Sequence, residues 1–137
     1  MPALGLLADV NIEGHVTRVL ARCGAEPWRE LWEWLGIRVA TFDGLGLPRD
    51  ISDRALWTVC QESDVVLITG NRNRHGPDSL ETTIRTLNTL QSFPVVTLAN
   101  PNRLLRDPQY ADRVAEKLID TFFDIEKLRG AGRVYIP

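Results

Sequence analysis

Three stretches of the chain are apolar almost without a break and short enough to be strands. Ala3-Leu4-Gly5-Leu6-Leu7-Ala8 ends at Asp9, Asp64-Val65-Val66-Leu67-Ile68-Thr69 ends at a polar loop, and Pro94-Val95-Val96-Thr97-Leu98 follows later. Continuous apolar runs suit strands buried on both faces. A fourth stretch, Ile37 to Phe42, alternates instead and reads as a strand ending at Asp43. Between these, apolar residues recur at helical spacing. Ile12, Val16, Val19, Leu20 and Cys23 follow a capping Asn11 and stop at Gly24. A short helix over Trp28 to Leu35 closes at Gly36, with Trp28, Leu31, Trp32 and Leu35 on one face and Trp34 off it. Ser52 begins a helix with Ala55, Leu56, Val59 and Cys60 inward.

Asp78-Ser79-Leu80-Glu81 has capping-box spacing and leads a helix carrying Leu80, Ile84, Leu87 and Leu90. Pro101 to Asp107 reads as a loop with a helical turn. A last long helix shows Ala111, Val114, Ala115, Leu118, Ile119, Phe122 and Phe123 on one face. Gly130-Ala131-Gly132 breaks it, and Arg133-Val134-Tyr135-Ile136 forms a closing strand at an edge. Strands alternating with helices predict an α/β fold in one domain over residues 1–137. The expected form is a three-layer α/β/α sandwich around a mostly parallel sheet of four to five strands. Right-handed crossovers put the first strand between the second and third, with the fourth outside the third. A site then belongs past the carboxyl ends of the strands, where the order reverses.

The polar residues at those strand ends are the candidates for chemistry. They are Asp9, Asn11 and Glu13 after the first strand, Asp43 after the second, and Asn71, Arg72, Asn73 and Arg74 after the third, with Asp53 opening the helix before it. Carboxylates with amide oxygens are hard ligands of the kind that hold Mg²⁺ or Mn²⁺. Each has a plainer use as well. Asp9, Asn11, Asp78 and Glu81 can cap helices, Glu13 and Asp53 can favour a first helical turn, and Asp43 can form a turn. His15 reads as a solvated helix residue, and His75 lies in the loop.

Composition narrows the field. The chain has 137 residues, 44% of them hydrophobic, enough for a core without disulfides. A formal net charge of -2 gives no basic field, so contact with nucleic acid would rest on local arginines. Cys23 and Cys60 lie far apart, without zinc spacing, and read as buried apolar residues. The apolar N-terminus is too short for a signal sequence, and no run reaches membrane-spanning length, so a cytoplasmic protein is expected. Gly44-x-Gly46 lacks the dinucleotide fingerprint, and neither a P-loop nor a G-x-S-x-G elbow occurs.

Leu6-Leu7-Ala8-Asp9-Val10-Asn11 resembles the L-L-x-D-x-N opening of a compact PIN-like family related to VapC-type toxin ribonucleases. Leu45-Gly46-Leu47 ahead of Ser52-Asp53-Arg54-Ala55-Leu56, and Val65-Val66-Leu67-Ile68-Thr69-Gly70-Asn71, follow in the family's order. The resemblance covers about the first two-thirds of the chain and implies an α/β/α sandwich with Mg²⁺- or Mn²⁺-dependent ribonuclease activity. It implies metal-binding roles for Asp9 and Asp53, with Asn71 and Asn73 where acidic residues are usual. Asn11 matches the polar neighbour of the first aspartate. Amides in place of carboxylates leave less negative charge to hold the ion.

The first expectation is therefore a toxin-like endoribonuclease acting on single-stranded RNA. Asp9, Asp53 and Asn71 would be catalytic, Asn73 would complete the metal shell, and Asn11, Arg72 and Arg74 would bind substrate. The second is a PIN-like module without catalysis, acting through protein partners such as a small antitoxin-like protein. A third is a nucleotide-binding domain of flavodoxin-like topology. An exposed Trp34 or the terminal strand would suit homodimerisation.

Overall fold

The computed structural model describes residues 4–70 and 79–137. Five strands form one sheet: β1 (Gly5–Ala8), β2 (Arg38–Ala40), β3 (Val65–Thr69), β4 (Val95–Leu98) and β5 (Arg133–Ile136). Their order is β2-β1-β3-β4-β5, and every neighbouring pair is parallel. The placing of β1 between β2 and β3, of β4 beyond β3, and of β5 at the edge all agree with the sequence expectation.

Among the described residues, six α-helices cover the sheet: α1 (Glu13–Cys23), α2 (Arg29–Leu35), α3 (Asp53–Glu62), α4 (Leu80–Leu87), α5 (Pro101–Arg106) and α6 (Pro108–Phe123). Side chains alternate along the strands, so each face has its own core. Leu6, Val66, Ile68, Val96 and Ile136 pack with α1, α5 and α6. Leu7, Val65, Leu67 and Val95 pack with Leu56, Trp57 and Cys60 of α3 and Leu80 of α4. The result is the expected three-layer sandwich with helices on both faces.

Several faces differ from the periodic reading. In α3 the inward stripe is Leu56, Trp57 and Cys60, while Ala55 is exposed. The larger apolar area of an indole outweighs that of a methyl group when a helix settles its phase. α4 ends at Leu87, which leaves Leu90 80% exposed in the following turn. β2 stops at Ala40, and Phe42 folds in from a turn to join the α3 core. Leu31 and Phe123 are exposed, whereas Trp28, Trp32 and Leu35 rest on the α1–α6 core. Gly36 ends α2 with φ 63°, a left-handed conformation that glycine adopts without the Cβ penalty.

Candidate functional site

Strand parity decides what reaches the α3–α4 layer. Leu7 packs there, so Asp9, two residues on, has the same facing. On β3, Val65 and Leu67 pack there and Thr69 follows. Asp9 is 9% exposed. Its Oδ1 accepts from the Val10 amide at 2.8 Å, capping the 3-10 turn Val10–Ile12. Its Oδ2 accepts from the Thr69 hydroxyl at 3.0 Å.

α3 leads into β3 and runs against the strands, so its first turn lies at their carboxyl ends. Asp53 opens that turn, and its Oδ2 accepts from the Leu80 amide at 3.1 Å, at the head of α4. The two carboxylates thus stand on one rim and on one side of the sheet. They hold the two ends of the β3–α4 connection, Asp9 through Thr69 and Asp53 through Leu80. The rim at β1 and β3 is also where the strand order reverses, the usual place for a ligand in an open α/β sheet.

The remaining candidates divide. Asn71, Arg72, Asn73 and Arg74, with His75 and Asp78, lie outside the described residues. Asn11 is exposed on the 3-10 turn and does not cap α1; Asp9 makes the only side-chain cap of this segment. Glu13 pairs with Arg49. Asp43 sits in the turn after β2, where its carbonyl accepts from the Gly46 amide. Among the described residues, no three His, Cys, Asp or Glu side chains gather as a metal site. A carboxylate oxygen that accepts one hydrogen bond keeps a further lone pair, so Asp9 and Asp53 still have the donors to serve as two oxygen ligands.

The register extends the rim into a polar row that sequence reading did not anticipate. Ala8 faces Ile68, so Asp9 adjoins Thr69; Thr69 pairs with Thr97, and Thr97 with Tyr135. Thr69 and Thr97 are fully buried. Arg133 joins the row through its guanidinium, with Nη1 donating to Thr97 Oγ1 at 2.6 Å and Nη2 to Glu81 Oε2 at 3.3 Å. Glu81 is therefore an ion-pair partner and not the second half of a capping box. The cap of α4 is Ser79, whose hydroxyl accepts from the Thr82 amide at 3.2 Å. Thr69 at the end of β3 and Thr97 one residue before the end of β4, each in an otherwise aliphatic buried strand, were the available signal.

Both thiols are buried and free. Burial pushes Cys23 and Cys60 up to about 12, and at Cys60 the nearby Asp9 charge adds to the rise. Neither thiol is an available nucleophile near neutral pH. The sequence reading of both as small apolar core residues therefore agrees with their surroundings. No family model, no curated protein and no solved structure matches this chain.

Proposed function

We propose that the chain is a PIN-like domain that holds Mg²⁺ or Mn²⁺ at Asp9 and Asp53 and cleaves single-stranded RNA as a toxin-like endoribonuclease. The observation that carries this reading is the shared placement of the two carboxylates on one side of the rim where the strand order reverses. Their chemistry suits a hard divalent cation. When bound, such an ion activates water and offsets phosphate charge. The Thr69 hydroxyl fixes the orientation of Asp9, and the low exposure of Asp9 limits competition from solvent. Asn71 and Asn73 are assigned the remaining oxygen donors; Arg72, Arg74 and Asn11 are assigned the contacts to the RNA backbone. These assignments rest on the resemblance.

The purified chain with Mn²⁺ should cut single-stranded RNA. Chelation, Asp9→Ala and Asp53→Ala should each abolish cutting. Cleavage that persists in a folded Asp9→Ala variant would refute the mechanism.

One observation favours a second reading, a PIN-like module that works through a protein partner such as a small antitoxin-like protein. Asp9 and Asp53 both accept hydrogen bonds from helix-terminal amides, so capping alone accounts for their positions. A folded protein that binds no Mn²⁺ in calorimetry, cuts no RNA and is harmless when overproduced would favour the module. The flavodoxin-like reading shares the strand order, but Asp9-Val10-Asn11 after β1 is not a glycine-rich phosphate cradle.

A further inference from the structure

A cleft of about 640 Å³ opens at the amino ends of the strands, the opposite end of the sheet from Asp9. Leu4, Ile37, Asp64 and Phe93, each just ahead of a strand, line it, and Trp34 and Phe123 form one wall. The size and apolar lining are those of a small-molecule site. Trp34 and Phe123 lie 6.1 Å apart between ring centroids and are 72% and 58% exposed. That is a large aromatic area to leave in water.

The charges in the cleft are not balanced. Arg129 is fully engaged: its Nε meets Glu126 at 2.5 Å, its Nη1 donates to the Gln91 carbonyl at 2.6 Å, and its guanidinium lies over the Phe93 ring at 4.0 Å. Asp64 is half-buried and lines the cleft, and its carboxylate has no hydrogen-bond or ion-pair partner among the described residues. Asp64 also sits at φ 54°, which directs its side chain from a left-handed backbone. With Glu126 and Arg129 cancelling, Asp64 is the one charge left uncompensated among the residues that line the cleft, while Arg38, outside that lining, donates to the Ser63 carbonyl at 3.4 Å.

We propose that this cleft binds a small organic cation, an apolar body bearing one protonated amine, with the amine on Asp64 and the body against Trp34 and Phe123. The site does not depend on the metal-binding reading, since it shares no residue with the rim. Phenethylamine, phenethyl alcohol and phenylacetate are suitable probes, being alike in shape and different in charge. Each is titrated into the full chain while amide and indole N–H signals are followed by NMR. The amine should shift the signals of Asp64 and Trp34 and bind about fivefold or more tighter than the alcohol, the gain of one ion pair. Phenylacetate should bind most weakly.

Asp64→Asn preserves the left-handed backbone, which asparagine tolerates, and removes only the charge. It should bring the amine to the affinity of the alcohol and leave the alcohol unchanged. Trp34→Ala should weaken both. Equal affinities for the three probes, an amine affinity indifferent to Asp64→Asn, or no shifts at the cleft with any probe would each overturn the proposal.

Discussion

At Asp9 one oxygen holds the Val10 amide and the other the Thr69 hydroxyl, in a setting that is nearly closed to water. An asparagine keeps the acceptor for Val10 and offers an amide N–H to the Thr69 oxygen. Asp9→Asn should therefore cost no more than about 1 kcal/mol of stability, and Asp9→Ala about 2 kcal/mol, because alanine removes both of these hydrogen bonds. Urea unfolding of the two variants measures the difference. The thiols offer a pH test. Their folded values of about 12 lie above the ordinary 9.0, so the neutral form is favoured on folding. Their contribution is complete below pH 9 and is lost as pH rises towards 12. A thiol reagent at pH 8 should label the folded chain only through opening, far more slowly than in urea; immediate labelling would contradict the burial. Asp9 and Asp53 were legible as site candidates because each ends an apolar run or opens a helix. Arg133 was not, since its partners Thr97 and Glu81 are 36 and 52 residues away and no local pattern links them.

Helix α4 is fastened at its head by two side chains, Ser79 from within and Asp53 from α3. Ser79→Ala and Asp53→Ala should each cost about 1 kcal/mol, the usual loss of a cap. With Asp53 as a ligand of the proposed ion, only Asp53→Ala should also remove any stabilisation by Mn²⁺, and thermal melts with and without the ion separate the two effects. At its other side α4 is tied to the edge strand β5 by Glu81 and the nearly buried Arg133. Glu81→Ala should destabilise by about 2 kcal/mol, because it leaves a cation in a largely dry place. Adding Arg133→Met should recover part of that loss, and a double-mutant cycle reads the coupling. The strands of this layer were legible because their aliphatic runs are longer than any loop would bury. The helix faces were less so. Ala55, Leu90 and Phe123 satisfy a helical period yet lie exposed, because the phase and end of a helix are set by what it packs against.

Across the whole molecule, parallel pairing and right-handed crossovers leave few strand orders, and the observed β2-β1-β3-β4-β5 follows from them. That order gathers the carboxylates at one end of the sheet and opens the aromatic cleft at the other. Sequence could place the first because strand ends are marked by polar residues after apolar runs. It could not place the second, which is assembled from the starts of four strands and the ends of two helices. The central claim is that the rim at β1 and β3 holds a divalent cation through Asp9 and Asp53. Calorimetric titration of Mn²⁺ into the parent chain and into Asp9→Asn, with both shown to be folded, tests it most directly. The account predicts one bound ion in the parent and an affinity at least about tenfold weaker in the variant, which loses one of the two carboxylates. Equal binding in the two proteins, or no binding in the parent, would contradict it.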